Sequence, residues 1–326
     1  MSGDAARAFW ITAPGHGEIR PEAVRPPAAD EVVVRALYSG ISRGTESLVF
    51  RGLVPERERE RMRARYQAGD FPGPVKYGYA SVGRVERGPR DFEDRVVFVL
   101  HPHQTRYVVE AGSAHVLPDA VPPARAVLAA NLETAINGIW DARLQIGDRL
   151  VVIGAGTIGC LVAWLAGRVL ACDVQLVDVN PRRAGIAQVL GVQFATPDAA
   201  SGDADVVVHC SGSPAGLELA LTLAGVEATI VEMSWYGSTM VPLALGEAFH
   251  SRRLTLKSSQ VGQVAGSQRA RWDRRRRMQL ALSLLVHSEL DAMITGEDEF
   301  DALPAVMATL AASPGDTLCH RIRYAP

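Results

Sequence analysis

Cysteine is scarce and scattered. The four residues, Cys160, Cys172, Cys210 and Cys319, form no C-x-x-C pair, so neither a disulfide scaffold nor a cysteine-rich structural zinc lobe is expected. Excess charge of one sign is also missing. Lys and Arg number 34 against 36 Asp and Glu, for a formal net charge of -2, which gives no support for nucleic-acid binding by bulk positive charge. Long apolar runs are absent too. The longest, from Ile158 to Cys172, is broken by Arg168 and is too short to span a bilayer. The N-terminal Met1-Ser2-Gly3-Asp4 carries no basic stretch followed by an apolar one, so no export signal is expected and the protein is placed in a reducing, cytoplasmic compartment. No internal repeat or low-complexity tract is found. What is present is a 48% hydrophobic, 21% charged chain of 326 residues, enough for about two domains at ~150 residues each and too apolar for a disordered chain.

The front of the chain reads as β-rich. Ala8–Thr12, Glu31–Leu37, Ala80–Val85 and Arg95–Leu100 are short β-branched or aromatic runs separated by Gly and Pro clusters, a pattern that suits a small barrel or sandwich. Within it, Pro55–Arg65 alternates Arg and Glu with little apolar face. That predicts a solvated helix, with an anion-binding lid as the sharper alternative. From Pro122 the pattern changes to a helix ending near Ala142, then alternating elements. Strands are expected at Arg149–Ile153, Val174–Val177, Asp205–His209, Ala228–Glu232 and Leu254–Lys257. Helices are expected at Ile158–Leu170, Arg182–Leu190 and Ala215–Ala224. Such alternation implies a parallel sheet covered on both faces. The run Arg274–Arg277 is read as solvated, or as pairing with acids across a subunit face.

The strongest signal is Gly154-Ala155-Gly156-Thr157-Ile158-Gly159, which directly follows an apolar strand and opens an apolar helix. In a G-x-G-x-x-G turn the first glycine permits the bend, the second lets the backbone approach a pyrophosphate, and the third allows close helix–strand packing. The helix N-terminus, with Thr157 and Ile158, supplies N–H groups to the phosphates. Asp178 ends the second strand, 19 residues beyond Gly159. A carboxylate there accepts from ribose hydroxyls and repels a 2′-phosphate, which favours NAD. Arg182 and Arg183 follow closely and keep NADP open. Ser211 and Ser234, just past two later strands, are expected to face the same crevice, with ordinary turn chemistry as the alternative.

The order of parts then resembles the medium-chain dehydrogenase/reductase superfamily over essentially the whole chain. The residues that carry this are Ser39-Gly40-Ile41-Ser42-Arg43-Gly44-Thr45-Glu46, Tyr77-Gly78-Tyr79-Ala80-Ser81-Val82-Gly83, Thr105–Val109, His115–Asp119, Thr134-Ala135 and the glycine fingerprint. The first string is most similar to that of the bacteriochlorophyllide dehydrogenase branch. The resemblance implies an α/β protein with a GroES-like β-rich catalytic domain, residues 1–124 completed by 259–326, and a Rossmann domain at 125–258. It implies an NAD(P)-dependent oxidoreductase of the alcohol dehydrogenase type that acts on a small molecule. Nucleic acid and membrane are not among the expected partners, and a homodimer is expected through the edge strand near Leu254–Lys257.

Zinc-dependent members carry Cys, His and a third ligand at positions that here hold Ser42 or Arg43, Tyr79, and Ala130 or Asn131. Serine, tyrosine and alanine are not zinc ligands of the usual kind, so no metal is expected. A substitute set of His101, His103 and Glu133 is the alternative. Without a metal, a carbonyl oxygen needs hydrogen-bond donors. Tyr79, Thr45, Ser42, His101 and His103 are the candidates, with Lys76 expected to lower the Tyr79 pKa. Tyr79 as a core aromatic is the rival reading. Glu133 is either a buried acid near the nicotinamide end or a helix-surface carboxylate. On resemblance, Thr134 is a nicotinamide neighbour and Arg43 a pyrophosphate contact. The alternatives to this function are a zinc-dependent enzyme with rearranged ligands and a non-catalytic NAD-binding protein.

Overall fold

The structure, a computed structural model, describes residues 6–313 and 315–325. In chain order the front contains strands β1 (Ala6–Ala13), β2 (His16–Glu22) and β3 (Glu31–Ile41), helix α1 (Thr45–Phe50), and strands β4 (Ala68–Gly69), β5 (Val75–Lys76), β6 (Ser81–Arg87), β7 (Val96–Val99), β8 (Arg106–Glu110) and β9 (His115–Val116). The middle contains α2 (Ala129–Ala142), β10 (Arg149–Ile153), α3 (Thr157–Trp164), β11 (Asp173–Val177), α4 (Ala184–Leu190), β12 (Gln193–Ala195), β13 (Ala204–His209), α5 (Pro214–Leu223), β14 (Ala224–Glu232) and β15 (Thr255–Ser258). The tail adds α6 (Arg274–Leu284), β16 (Ile294–Glu299), α7 (Leu303–Ala312) and β17 (Cys319–Arg323).

Two compact units result: residues 1–130 with 282–326, and residues 131–281. In the first, one sheet has the order β2-β1-β5-β4. The other has β16-β17-β3-β6-β7-β9, with β8 also on β3. The C-terminal strand is integral to this unit, because β17 pairs antiparallel with β3, Ile322 opposite Ser39. Alternate residues of its strands turn inward. Val32, Val34, Val85, Val97, Val99, Tyr107 and Val109 form one core cluster, and residues between them, such as Val33 and Phe98, are buried as well, so the middle of the sheet is covered on both faces.

In the second unit six strands run in the order β12-β11-β10-β13-β14-β15, and every neighbouring pair is parallel. The reversal of order lies between β10 and β13, the switch point where open α/β sheets bind ligands beyond their carboxyl ends. Central strands of such sheets are covered on both faces. Leu150, Val151, Val152 and Ile153 of β10 are accordingly all buried.

Three expectations are corrected. Residues 259–281 were assigned to the first domain but lie in the second unit. Ser259 Oγ donates to Asp141 (2.8 Å), Ala265 N to Asn137 Oδ1 (3.0 Å) and Ser267 Oγ to the Trp140 carbonyl (3.0 Å). Arg277, expected with its neighbours either in solvent or paired with acids across a subunit face, is only 1% exposed and is paired within its own chain. Its guanidinium pairs with Glu133 (3.1 Å), bonds Asn137 and donates to the Val261 carbonyl (2.6 Å). The stretch 55–65 forms one short 3-10 turn, Glu56–Glu58, not a helix, since nothing apolar recurs to dock it.

Removing one partner of a buried ion pair strands a charge. Arg277→Ala is therefore expected to cost about 3–5 kcal/mol in urea unfolding, with Glu133→Gln/Arg277→Met recovering most of it.

Candidate active site

The glycine turn sits at the carboxyl end of β10. Gly154 N donates to the Val177 carbonyl and Cys210 N to the Ile153 carbonyl, both at 2.8 Å, so the turn is fastened between β11 and β13. Gly154 has φ +104, a conformation that favours glycine. A Cβ on Gly159 would lie 1.9 Å from the Gly154 carbonyl oxygen, whereas one on Gly156 would meet no heavy atom within 4 Å. Thus the outer glycines are closed by packing and the middle one opens outward. Gly156 caps α3 without a side-chain hydrogen bond, which leaves the helix's first N–H groups for an anion. Thr157 and Ile158 are half-buried beside them.

Asp178 holds the turn from β11. Its Oδ2 accepts from Ala155 N (2.7 Å) and its Oδ1 from Asn180 N (2.8 Å). A carboxylate offers about four lone-pair sites, so room for ribose hydroxyls remains. Arg183 is buried, Arg182 is exposed, and Val179 stands 82% exposed between Asp178 and Asn180. Together the outward cradle, the uncapped helix start and the acidic strand end fit a dinucleotide.

Sequence reasoning named Ser211 and Ser234 here but missed what joins them. His209 and Glu232 end β13 and β14 directly opposite each other. His209 Nδ1 lies 2.7 Å from Glu232 Oε2, and His209 Nε2 lies 2.6 Å from Ser211 Oγ. Ser234 N donates to Glu232 Oε1 (2.6 Å), Tyr236 OH to Glu232 Oε2 (3.1 Å), and Gly212 N to Ser234 Oγ (3.0 Å). A polar residue directly after each of the apolar runs Val206–Val208 and Ile230–Val231 was the available signal.

Glu133, in α2, is buried against Arg277. Burial raises its pKa despite the guanidinium, so it is a paired interior acid and not a surface carboxylate. Thr134, beside it, is half-buried.

In the first unit, Ser42, Thr45, Tyr79 and His103 are linked. Ser42 and Thr45 stand beside the Tyr79 hydroxyl, where they oppose the effect of its burial. Glu46, 2% exposed, accepts from Ser42 N (3.0 Å) and pairs with His103 Nε2 (2.8 Å). His103 Nδ1 continues to Ser39 Oγ (2.7 Å), and Ser39 to the Tyr324 hydroxyl (2.9 Å). Buried polar groups are tolerated when they satisfy one another in this way.

Lys76 is not part of this cluster. It donates to Glu22 Oε1 (2.6 Å) and Gln104 Oε1 (2.8 Å), and it is not among the groups that shift the Tyr79 pKa. Burial and the Glu46 carboxylate instead push the Tyr79 pKa up, so at neutral pH it is a donor and not a phenolate. Arg43 donates to the Thr317 carbonyl (2.9 Å).

The substitute metal set does not assemble. His101 stacks on Tyr107, with centroids 3.7 Å apart, and donates from Nδ1 to the Pro102 carbonyl (2.9 Å). Both nitrogens of His103 are engaged as described. Among the described residues no three His, Cys, Asp or Glu are grouped to hold a metal ion.

No family model matches the chain. It is 25% identical to D-guloside 3-dehydrogenase of Escherichia coli (strain K12) over 315 residues, covering 88% of this chain and 87% of that protein. It is 31% identical to 2-dehydro-3-deoxy-L-galactonate 5-dehydrogenase of Pseudoalteromonas atlantica over 173 residues, half of either chain. Among solved structures, L-idonate 5-dehydrogenase from E. coli superposes with TM-score 0.80 at 14% identity, over 98% of both chains. An E. coli CFT073 short chain alcohol dehydrogenase complexed with NADH superposes with TM-score 0.78 at 17% identity, over 98% of this chain and all of the other. The chain is thus similar over most of its length to one dehydrogenase, and it shares with the solved dehydrogenases their fold, a GroES-like unit and a Rossmann unit.

Burial holds the His101 pKa down at about 3, below its usual value near 6.5. As pH falls from about 6.5 towards 3 the unfolded chain takes up this proton and the folded chain does not, so stability is lost in that window at up to about 1.4 kcal/mol per pH unit. Urea unfolding between pH 7 and 4.5 is expected to show a shallower loss for His101→Gln than for the wild type.

Proposed function

We propose that the chain is an NAD(P)-dependent oxidoreductase that moves a hydride between nicotinamide and an alcohol or carbonyl carbon without a catalytic zinc. The observation that carries this is the open cradle at Gly156, bounded by the α3 N-terminus and Asp178. The relatives named above act on sugars and sugar acids, which supports a secondary alcohol or ketone of a small polyhydroxylated molecule as substrate.

The coenzyme, when bound, supplies or accepts the hydride. Everything else falls to the chain. Gly156, Thr157, Ile158 and the uncapped start of α3 are proposed to hold the pyrophosphate. Asp178 takes the adenosine ribose hydroxyls and disfavours a 2′-phosphate, with Arg183 close in sequence. Thr134, Ser211, Ser234 and Arg43 are the remaining proposed coenzyme contacts.

As hydride arrives at a carbonyl carbon, negative charge grows on its oxygen, and neutral donors held in place stabilise it. Tyr79, with its raised pKa, is the proposed donor. Ser42 and Thr45, beside its hydroxyl, are proposed to relay a replacement proton from water, and Glu46 with His103 fixes the loop that carries them. In the oxidative direction the relay runs in reverse: the Tyr79 oxygen takes the alcohol proton as its own proton passes through Ser42 or Thr45 to water. Serine and tyrosine at the positions of the relatives' ligands do not fit a zinc ion of the usual kind, so no step is assigned to one.

We further propose a cytoplasmic homodimer. β15 is the edge strand of the second sheet, with Leu256 37% exposed, and all four cysteines are unpaired. No helix among the described residues is long and apolar enough to cross a membrane.

Calorimetry is expected to find NADH bound at least about tenfold more tightly than NADPH, a difference of about 1.4 kcal/mol. Asp178→Ala should shrink that gap. Gly156→Val fills open space, so it should weaken both coenzymes while leaving thermal unfolding unchanged. Absence of binding by either coenzyme overturns the reading. With an accepted substrate, Tyr79→Phe should lower kcat by about a hundredfold or more while leaving the NADH dissociation constant unchanged.

A further inference from the structure

Beyond the coenzyme contact proposed for Ser211, the hydride reaction assigns no role to the hydroxyl–imidazole–carboxylate chain at the ends of β13 and β14. Ser211 Oγ lies 2.6 Å from His209 Nε2, and His209 Nδ1 lies 2.7 Å from Glu232 Oε2. Ser211 is an exposed residue, His209 is fully buried, and the Glu232 side chain is 13% exposed. That is the arrangement in which a base takes a nucleophile's proton while a carboxylate fixes the base's tautomer and stabilises the cation. Glu232 is itself pinned by the Ser234 N–H and the Tyr236 hydroxyl.

The surroundings favour the same chemistry. Helix α5 starts at Pro214, three residues after Ser211, and its first turn lies against the hydroxyl. A Cβ on Gly216 would stand 2.4 Å from Ser211 Oγ and 2.7 Å from His209 Nε2. The partial positive charge of the helix start is thus near the oxygen on which charge develops. Ser213 N donates to Ser211 Oγ (3.1 Å), which holds the hydroxyl in place without using its proton.

We propose that Ser211 is an activated nucleophile that takes the acyl group of small carboxylic esters with good leaving groups. In the first step Ser211 Oγ bonds to the carbonyl carbon and its proton passes to His209 Nε2. The carbon–oxygen bond to the leaving group then breaks, and the departing oxygen takes that proton. In the second step a water adds to the acyl carbon, giving its proton to His209. The carboxylic acid departs, and the proton returns to Ser211. Glu232 is a positioning residue throughout. The site has a consequence for the coenzyme. The Ser211 backbone packs on Gly154, with N and Cα each 2.7 Å from where a Gly154 Cβ would be, so an acyl group on Ser211 and a dinucleotide on the glycine turn compete for one crevice. Only this last point rests on the coenzyme reading above.

The test exposes the full-length protein to an alkyl fluorophosphonate and to p-nitrophenyl acetate, with adducts located by peptide mass spectrometry. One adduct per chain is expected, on Ser211, and absent in Ser211→Ala. Its rate should fall by about a hundredfold or more in His209→Asn and by about tenfold or more in Glu232→Gln, which keeps the shape and loses the charge. Saturating NADH should block it. No adduct, an adduct on another residue, or labelling at the wild-type rate in His209→Asn overturns the proposal. An adduct on Ser211 that forms equally fast with and without NADH upholds the nucleophile and overturns the coenzyme's place instead.

Discussion

Three backbone segments meet at the carboxyl ends of β10, β11 and β13 with almost no space between them. Gly154 abuts Ser211, Gly159 abuts Gly154, and Asp178 reaches across to Ala155 N. Any side chain at the outer glycines would force these segments apart. Because they cannot separate, the middle glycine is held facing outward and the first turn of α3 keeps N–H groups free of side-chain caps. Every functional property assigned to the second unit follows from that close approach. It concentrates polar chemistry where the strand order reverses.

The first unit meets a different constraint. Its interior holds Ser39, Glu46, His103 and Tyr324 in one hydrogen-bonded chain that reaches the Ser42 backbone N–H, with the Tyr79 hydroxyl beside Ser42. Taking such groups out of water is costly unless each finds a partner. Here the cost is offset pairwise, and the partners come from distant parts of the chain, including its last strand. Burial beside Glu46 also keeps Tyr79 protonated and pushes the Cys319 thiol up to about 12. A cluster of neutral donors suits a reaction in which charge appears only transiently on substrate.

How much of this was legible in the sequence depended on the range of the interaction. Elements fixed by local pattern were read closely. Arg149–Ile153 is a strand with the bounds expected, and Leu254–Lys257 differs by one residue at each end. The glycine fingerprint was readable because its three glycines stand together directly after an apolar strand, although the neighbour that closes Gly154, Ser211, lies on a later strand end. Lys76 was misplaced because it lies near Tyr79 in sequence, whereas its ammonium is captured by Glu22, 54 residues away. Arg277 was read as solvated, or paired across a subunit face, for the same kind of reason. A run of four arginines looks uniform, yet one of them faces Glu133, 144 residues distant. The His209–Glu232 pair, 23 residues apart, depends on the register of two parallel strands. The terminal polar residues of both strands were visible in the sequence, but not that they stand opposite each other.

The most direct test is a crystal structure of the protein grown with NADH. The pyrophosphate is predicted to lie over Gly156 within hydrogen-bond distance of the first N–H groups of α3, with a ribose hydroxyl on Asp178. Density for the dinucleotide anywhere else, or a well-ordered crevice that stays empty at saturating NADH, would contradict the account.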